Sequence, residues 1–236
     1  MVGRINSIQS LGTVDGPGVR AVVFASGCPL RCAYCHNPDT WRTEDGQVTE
    51  VDDLAKKILR LRPYIQNGGV TFSGGEPCLQ PEFFAALAEK LQAQELHIAL
   101  DTSGCIINEH VIRLLKFINL LLLDIKFTSD DDYKRYTGGS LTQTLEFLAL
   151  AEKMNVTVWV RHVVIPGIND TKEDILRLKD IMGGYSCIKK CELLPFKKIC
   201  VPKYENLGIK FPLRDTPACD EKTIERLYSL IDEYRT

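Results

Sequence analysis

Three cysteines fall within one short run, Cys28-Pro-Leu-Arg-Cys32-Ala-Tyr-Cys35, with His36 and Asn37 directly after. Thiolates at this spacing can converge on one metal centre. A structural zinc site asks for a full tetrahedral set of protein ligands, and His36, adjoining Cys35, reaches the same ion poorly. A [4Fe–4S] cube takes one thiolate per iron, so three cysteines leave one iron open for a small molecule. Ligation with an open position is the pattern of catalysis, with a zinc loop as the competing reading.

Other reactive residue types sit at the ends of apolar runs. Ser73-Gly74-Gly75-Glu76-Pro77 places two glycines where a backbone must come close to something, beside a carboxylate able to accept from an ammonium group. Leu100-Asp101-Thr102 and Leu122-Leu123-Asp124-Ile125-Lys126 end two further runs. An isolated Asp after a strand commonly caps a helix, but two of them with Lys126 fit a polar pocket. Arg161 lies inside an apolar run and needs a carboxylate partner, for which an internal ion pair is the plain alternative. Upstream stands a glycine-rich segment, Gly12-Thr13-Val14-Asp15-Gly16-Pro17-Gly18-Val19-Arg20.

The elements that must position these groups alternate along the chain. Apolar runs suited to buried parallel strands are Val19–Ser26, Val70–Ser73, His97–Asp101, Leu120–Ile125, Val156–Val163 and Lys189–Leu194. Helical patterns occupy Val51–Ile65, Glu82–Gln94, Asn108–Phe117, Leu141–Met154, Thr171–Met182 and Asp220–Tyr234. This alternation predicts an α/β fold with right-handed crossovers. Six units are too few for an ordinary closed barrel. The expectation is an open, partial (β/α)6 barrel with a parallel sheet, a doubly wound sheet being the alternative, in one domain spanning 1–236. Chemistry then belongs at the C-terminal strand ends. The segment Lys197–Cys219 reads as a long loop able to cover a site.

Composition closes off other classes. The chain has 236 residues, 44% of them hydrophobic, so a core is available and disorder is excluded as the dominant state. A net charge of -2 argues against nucleic-acid binding by bulk electrostatics. No run approaches the ~20 apolar residues of a membrane span, and the start MVGRINSIQS lacks a signal-peptide core. The expectation is a cytoplasmic monomer. In a reducing compartment nine cysteines are not a disulfide framework. Cys78, Cys105, Cys187, Cys191, Cys200 and Cys219 read as buried free thiols, with a second cluster as the alternative for the last four.

The Cys-x3-Cys-x2-Cys run, with an aromatic before its last cysteine, resembles the signature of the radical SAM superfamily. The segment 12–20 and Cys35-His36-Asn37-Pro38-Asp39-Thr40-Trp41 narrow the resemblance to the glycyl-radical-enzyme activases, over nearly the whole chain. The resemblance implies one [4Fe–4S] cluster on Cys28, Cys32 and Cys35, and S-adenosylmethionine cleaved to methionine and 5′-deoxyadenosine. It implies cofactor contacts from Cys35, His36, Asn37, Gly74, Gly75, Glu76, Asp124, Ile125, Lys126, Arg161, Val164 and Lys197. A monovalent cation would be held by Asp101, Thr102, the Leu122 carbonyl and Asp124. Thr13, Asp15, Gly16, Pro17 and Arg20 would receive the partner's glycine loop. The implied partner is pyruvate formate-lyase, or another glycyl radical enzyme of diol dehydratase or decarboxylase type, with flavodoxin or ferredoxin as electron donor and neither nucleic acid nor membrane involved. Lys197 stands where the family carries a histidine. Only His36 to Phe72 separate the cysteines from the Gly-Gly-Glu segment, and that stretch holds no cysteine, so no ferredoxin-like insert is present.

Overall fold

The computed structural model describes residues 1–235. The chain divides into two compact units: Met1–Pro29 with Asp39–Leu122, and Leu30–Pro38 with Leu123–Thr236.

The first unit opens with β1 (Val2–Gly12) and β2 (Arg20–Ala25), an antiparallel pair. β3 (Gln47–Glu50) adds antiparallel to the far side of β1. Then come α1 (Val51–Leu59), α2 (Arg62–Ile65), β4 (Gly69–Gly74), α3 (Pro81–Gln92), β5 (Ile98–Thr102) and α4 (Glu109–Leu115). β2, β4 and β5 are parallel neighbours. Their near-complete burial follows from helices packing on them and from Val, Phe, Ile and Leu along their length. α4 starts where Asn108 accepts from the Val111 amide at 2.9 Å.

The chain then passes through β6 (Leu120–Asp124) into α5 (Asp130–Thr137), α6 (Leu141–Lys153), β7 (Thr157–Val164), α7 (Lys172–Gly183), β8 (Ile188–Pro195), α8 (Val201–Asn206) and α9 (Glu221–Tyr228). β7 and β8 are parallel, pairing Trp159 with Lys190 and Arg161 with Glu192. α7 carries the expected capping box: the Thr171 side chain accepts from the Asp174 amide, and Asp174 accepts from the Thr171 amide. Hydrogen-bonded strands follow the order β3-β1-β2-β4-β5-β6-β7-β8, an open series with β3 and β8 at its ends.

The six expected strands are β2 and β4–β8. β1 and β3 were not foreseen, because each exposes much of its length and carries Arg, Asn, Gln or Glu among its apolar residues. The helix expected over Val51–Ile65 is interrupted at Arg60–Leu61, just ahead of Pro63. α5 lies outside the expected helices, and α8 falls in the segment expected as a loop. Among the described residues no helix is long and apolar enough to cross a membrane.

Candidate functional site

In the first unit, β4 ends at Gly74, in the left-handed region with φ 107°. The next residues lie against the backbone that leads to Cys28. The Gly75 amide donates to the Ala25 carbonyl at 3.0 Å and the Glu76 amide to the Gly27 carbonyl at 2.8 Å. A Cβ on Gly75 would come within 2.2 Å of the Gly27 oxygen, so only glycine permits this approach. The loop is also held by Thr40 and Trp41, whose carbonyls accept from the Gly27 and Cys28 amides. Cys28 itself is half-buried.

Glu76 is 1% exposed. One carboxylate oxygen accepts from the Thr102 hydroxyl at 2.6 Å and the Cys78 amide at 3.1 Å. The other accepts from the Ser103 amide at 3.0 Å and the Ser103 hydroxyl at 2.7 Å. The acceptor capacity of a carboxylate is thereby filled. These bonds tie the end of β4 to the end of β5. Thr102 is buried by the same network and also accepts from the Gly104 amide. Asp101 accepts from the Ser73 hydroxyl at 2.6 Å. Leu122 is fully buried in β6.

Arg20 is fully buried. Its Nε donates to Thr71 Oγ1 at 2.6 Å, and its terminal nitrogens donate to the carbonyls of Pro17, Gly68, Val70 and His97. Burial lowers its pKa to about 10 against the opposing pull of Asp15. The side chain fastens the glycine-rich loop to β4, helped by Thr71, which donates to the Asp15 carbonyl at 2.6 Å. Thr13 and Val14 of that loop are exposed, and Asp15, Gly16 and Pro17 are half-buried.

In the second unit, Cys32 and Cys35 lie on a loop fixed by α5. The Arg31 amide donates to the Thr137 carbonyl at 2.9 Å and the Ala33 amide to the Tyr136 carbonyl at 2.7 Å. α5 stops there because Gly138, at φ 75°, takes the left-handed cap. Tyr34 is buried with its ring edge-on to Phe127. Burial pushes the Cys32 thiol up to about 11, with Lys126 pulling the other way. Lys126 Nζ donates to Asp124 at 2.9 Å, both partly enclosed.

His36 Nε2 lies 3.0 Å from the Lys197 carbonyl. A carbonyl only accepts, so Nε2 carries the proton. Burial keeps the ring's pKa below its usual value. Asn37 accepts from Lys203 Nζ at 2.8 Å. Lys197 therefore meets this loop through its backbone, with the residue itself exposed. Arg161 faces Glu192 at 3.6 Å, and Lys190 meets the same carboxylate at 3.1 Å, so the internal ion pair is present. Ile125 and Val164 are fully buried.

Two sets of expected residues are thus assembled within their own units: Gly74, Gly75 and Glu76 with Thr102 and the backbone beside Cys28, and Cys32, Cys35, His36 and Asn37 with Lys197. Ser103, Lys203 and Gly27 are participants that the sequence reading did not assign. Ser103 directly follows Leu100-Asp101-Thr102, and its hydroxyl is the available signal. Among the described residues no three His, Cys, Asp or Glu side chains are disposed to hold a metal ion. The donor chemistry nonetheless fits an iron–sulfur cluster better than zinc. All three motif donors are thiols, and the imidazole beside them, His36, adjoins Cys35 in the chain and reaches the same ion poorly. Cys78, Cys187, Cys191, Cys200 and Cys219 are buried free thiols, while Cys105 is half-buried.

Comparison with known proteins agrees with this chemistry. Residues 22–178 match the family model of the radical SAM superfamily. A pyruvate formate-lyase-activating enzyme of Clostridium pasteurianum is 44% identical over 235 residues, covering 99% of this chain and 98% of that protein. One from Staphylococcus epidermidis is 40% identical, covering 98% and 95%. Among solved structures, Streptococcus suis SuiB bound to S-adenosylmethionine superposes with a TM-score of 0.65 at 18% identity, over 88% of this chain and 45% of that one. The three-cysteine motif, the family match and the full-length relatives converge on one assignment: the chain belongs to the radical SAM superfamily.

Proposed function

We propose that this chain activates pyruvate formate-lyase by generating a glycyl radical on it. The observation that carries the reading is likeness over nearly the full length to proteins named for that activity, on a chain that keeps the three-cysteine motif. Family members use a [4Fe–4S] cluster and S-adenosylmethionine, which when bound supply the one-electron cleavage to methionine and 5′-deoxyadenosine and take a hydrogen atom from a glycine α-carbon.

The chain's own residues bind and orient. Cys28, Cys32 and Cys35 are the cluster ligands in this reading. The Gly74–Gly75 backbone receives the methionine end of the cofactor, on a turn that Glu76 braces. Lys126, paired with Asp124, offers further donors to the cofactor's polar edge. Thr13, Asp15, Gly16 and Pro17 receive the partner's glycine loop, on a segment that Arg20 holds still. No side chain serves as acid or base, since hydrogen-atom transfer depends on position and containment. The protein acts in the cytoplasm as one domain without a second cluster module, as a monomer, with flavodoxin or ferredoxin as donor.

A second reading, activation of a diol dehydratase-type or decarboxylase-type partner, is favoured by Lys197 in place of the family's histidine. The test is anaerobic reconstitution followed by dithionite, S-adenosylmethionine and pyruvate formate-lyase. An EPR doublet on the partner, with stoichiometric 5′-deoxyadenosine, supports the proposal. Cleavage without a doublet, alongside a doublet on another glycyl radical enzyme, transfers the assignment to that partner. Absence of cleavage with a loaded cluster refutes both.

A further inference from the structure

The strap that follows β8 differs in charge from the rest of the molecule. From Lys197 to Arg214 it carries five basic residues, Lys197, Lys198, Lys203, Lys210 and Arg214, against one acidic residue, Glu205, in a chain whose net charge is -2. Its shape is built from beneath. Phe196, Tyr204 and Phe211 are buried, with Tyr204 and Phe211 ring centroids 4.9 Å apart and Phe196 stacked on Phe211 at 6.3 Å. That aromatic keel turns the alternate residues outward. Ile199 is 73% exposed, Leu207 43% and Ile209 41%. Lys197, Lys198 and Lys210 are exposed in the same segment. Exposed apolar side chains interleaved in the chain with cationic ones are the composition of a protein-binding surface.

The strap is also tied to the cysteine loop. The Lys197 carbonyl accepts from His36, and Lys203 donates to Asn37. Whatever docks on the strap therefore docks on backbone directly linked to the two residues after Cys35. Reductive cleavage needs an external electron at each turnover, so a donor must bring its redox group to this loop.

We infer that the exposed face of the Lys197–Arg214 strap is the docking surface for an acidic one-electron carrier protein. This rests on the radical SAM reading given above. Each encounter passes one electron; the carrier is oxidised by one electron, and a carbon–sulfur bond of the sulfonium is broken reductively. Lysine on a flexible stem suits such an encounter, since it steers a negative partner without fixing a rigid geometry. Small, fast-exchanging contacts with charged rims are the rule for electron-transfer pairs.

The experiment titrates the full chain, with its cluster reconstituted, against a flavodoxin at low and at physiological salt. The wild type is expected to bind, and to bind less tightly as salt rises. The double charge reversal Lys198→Glu/Lys210→Glu is expected to weaken binding by about tenfold or more. Flavodoxin-driven S-adenosylmethionine cleavage should fall in parallel, with dithionite-driven cleavage unchanged. Ile199→Ser should weaken binding while leaving its salt dependence intact. Wild-type protein that fails to bind flavodoxin overturns the inference. So does a charge reversal that leaves affinity unchanged, or one that weakens pyruvate formate-lyase binding instead. Failure of dithionite-driven cleavage in the wild type counts against the enzymatic reading, whereas the binding titration still reports on the surface.

Discussion

Glu76 accepts a hydrogen bond from Thr102 at 2.6 Å and so joins the loop after β4 to the end of β5. Each oxygen of this buried carboxylate also takes one backbone amide, from Cys78 or from Ser103. Hydroxyl partners can rotate; amides cannot. In Glu76→Gln the side-chain NH2 must therefore face one backbone N–H in either orientation. We expect that variant to lose about 1–3 kcal/mol of stability, read from urea denaturation. Unchanged stability would mean that the carboxylate is not the brace described.

Ligation divides the nine cysteines. Cys32→Ala is expected to abolish both the brown colour of the reconstituted protein and S-adenosylmethionine cleavage, with the fold kept. Cys191→Ala, at a fully buried thiol in β8, should keep both. Iron analysis and absorbance decide, and a colourless Cys191 variant would revive the second-cluster alternative.

Gly138 ends α5 at φ 75°, and an added Cβ would meet nothing within 4 Å. The cost of Gly138→Ala is then conformational alone, about 1 kcal/mol. A fall in Tm of about 2–4 °C is expected. No change in Tm would show that α5 ends differently in solution.

His162 supplies a pH dependence. Its Nδ1–H donates to the Ile125 carbonyl at 2.6 Å, and Nε2 accepts from the Asn169 amide at 3.2 Å. The bond from Asn169 requires an unprotonated Nε2, and burial holds the ring's pKa below the ordinary value against the pull of the Ile125 carbonyl. The unfolded chain therefore binds the proton more readily, and stability rises with pH across the interval between the folded and unfolded values. The stabilisation is complete above about pH 6.5 and is lost as pH falls below it. Urea midpoints measured downward from neutrality should decline, with a shallower slope in His162→Gln. Equal slopes would remove His162 as the cause.

Much of this was legible before any coordinates. The parallel strands announced themselves because both faces are buried and their sequences run apolar almost without interruption, as in Leu120–Leu123. The half-exposed β1 and the edge strand β3 carry no such run. α5 reads Asp-Asp-Asp-Tyr-Lys-Arg-Tyr-Thr and buries only Tyr133 and Thr137, too few to mark a helical face. At the site, residue types identified the cysteine loop, but not which polar groups turn inward. Arg20 and Glu76 look like ligand-binding residues in one dimension. Both spend their hydrogen bonds on the protein itself, and only the fold reveals which carbonyls and amides come within their reach.

The amides of Arg31 and Ala33 complete the C-terminal turn of α5. Two of the three motif cysteines thus ride on a segment whose course is dictated by an ordinary helix ending rather than by metal. The bonds that set its course join protein to protein. Cofactor maturation then resembles loading a shaped receptacle, and stripping the metal should leave a folded apoprotein ready to be refilled.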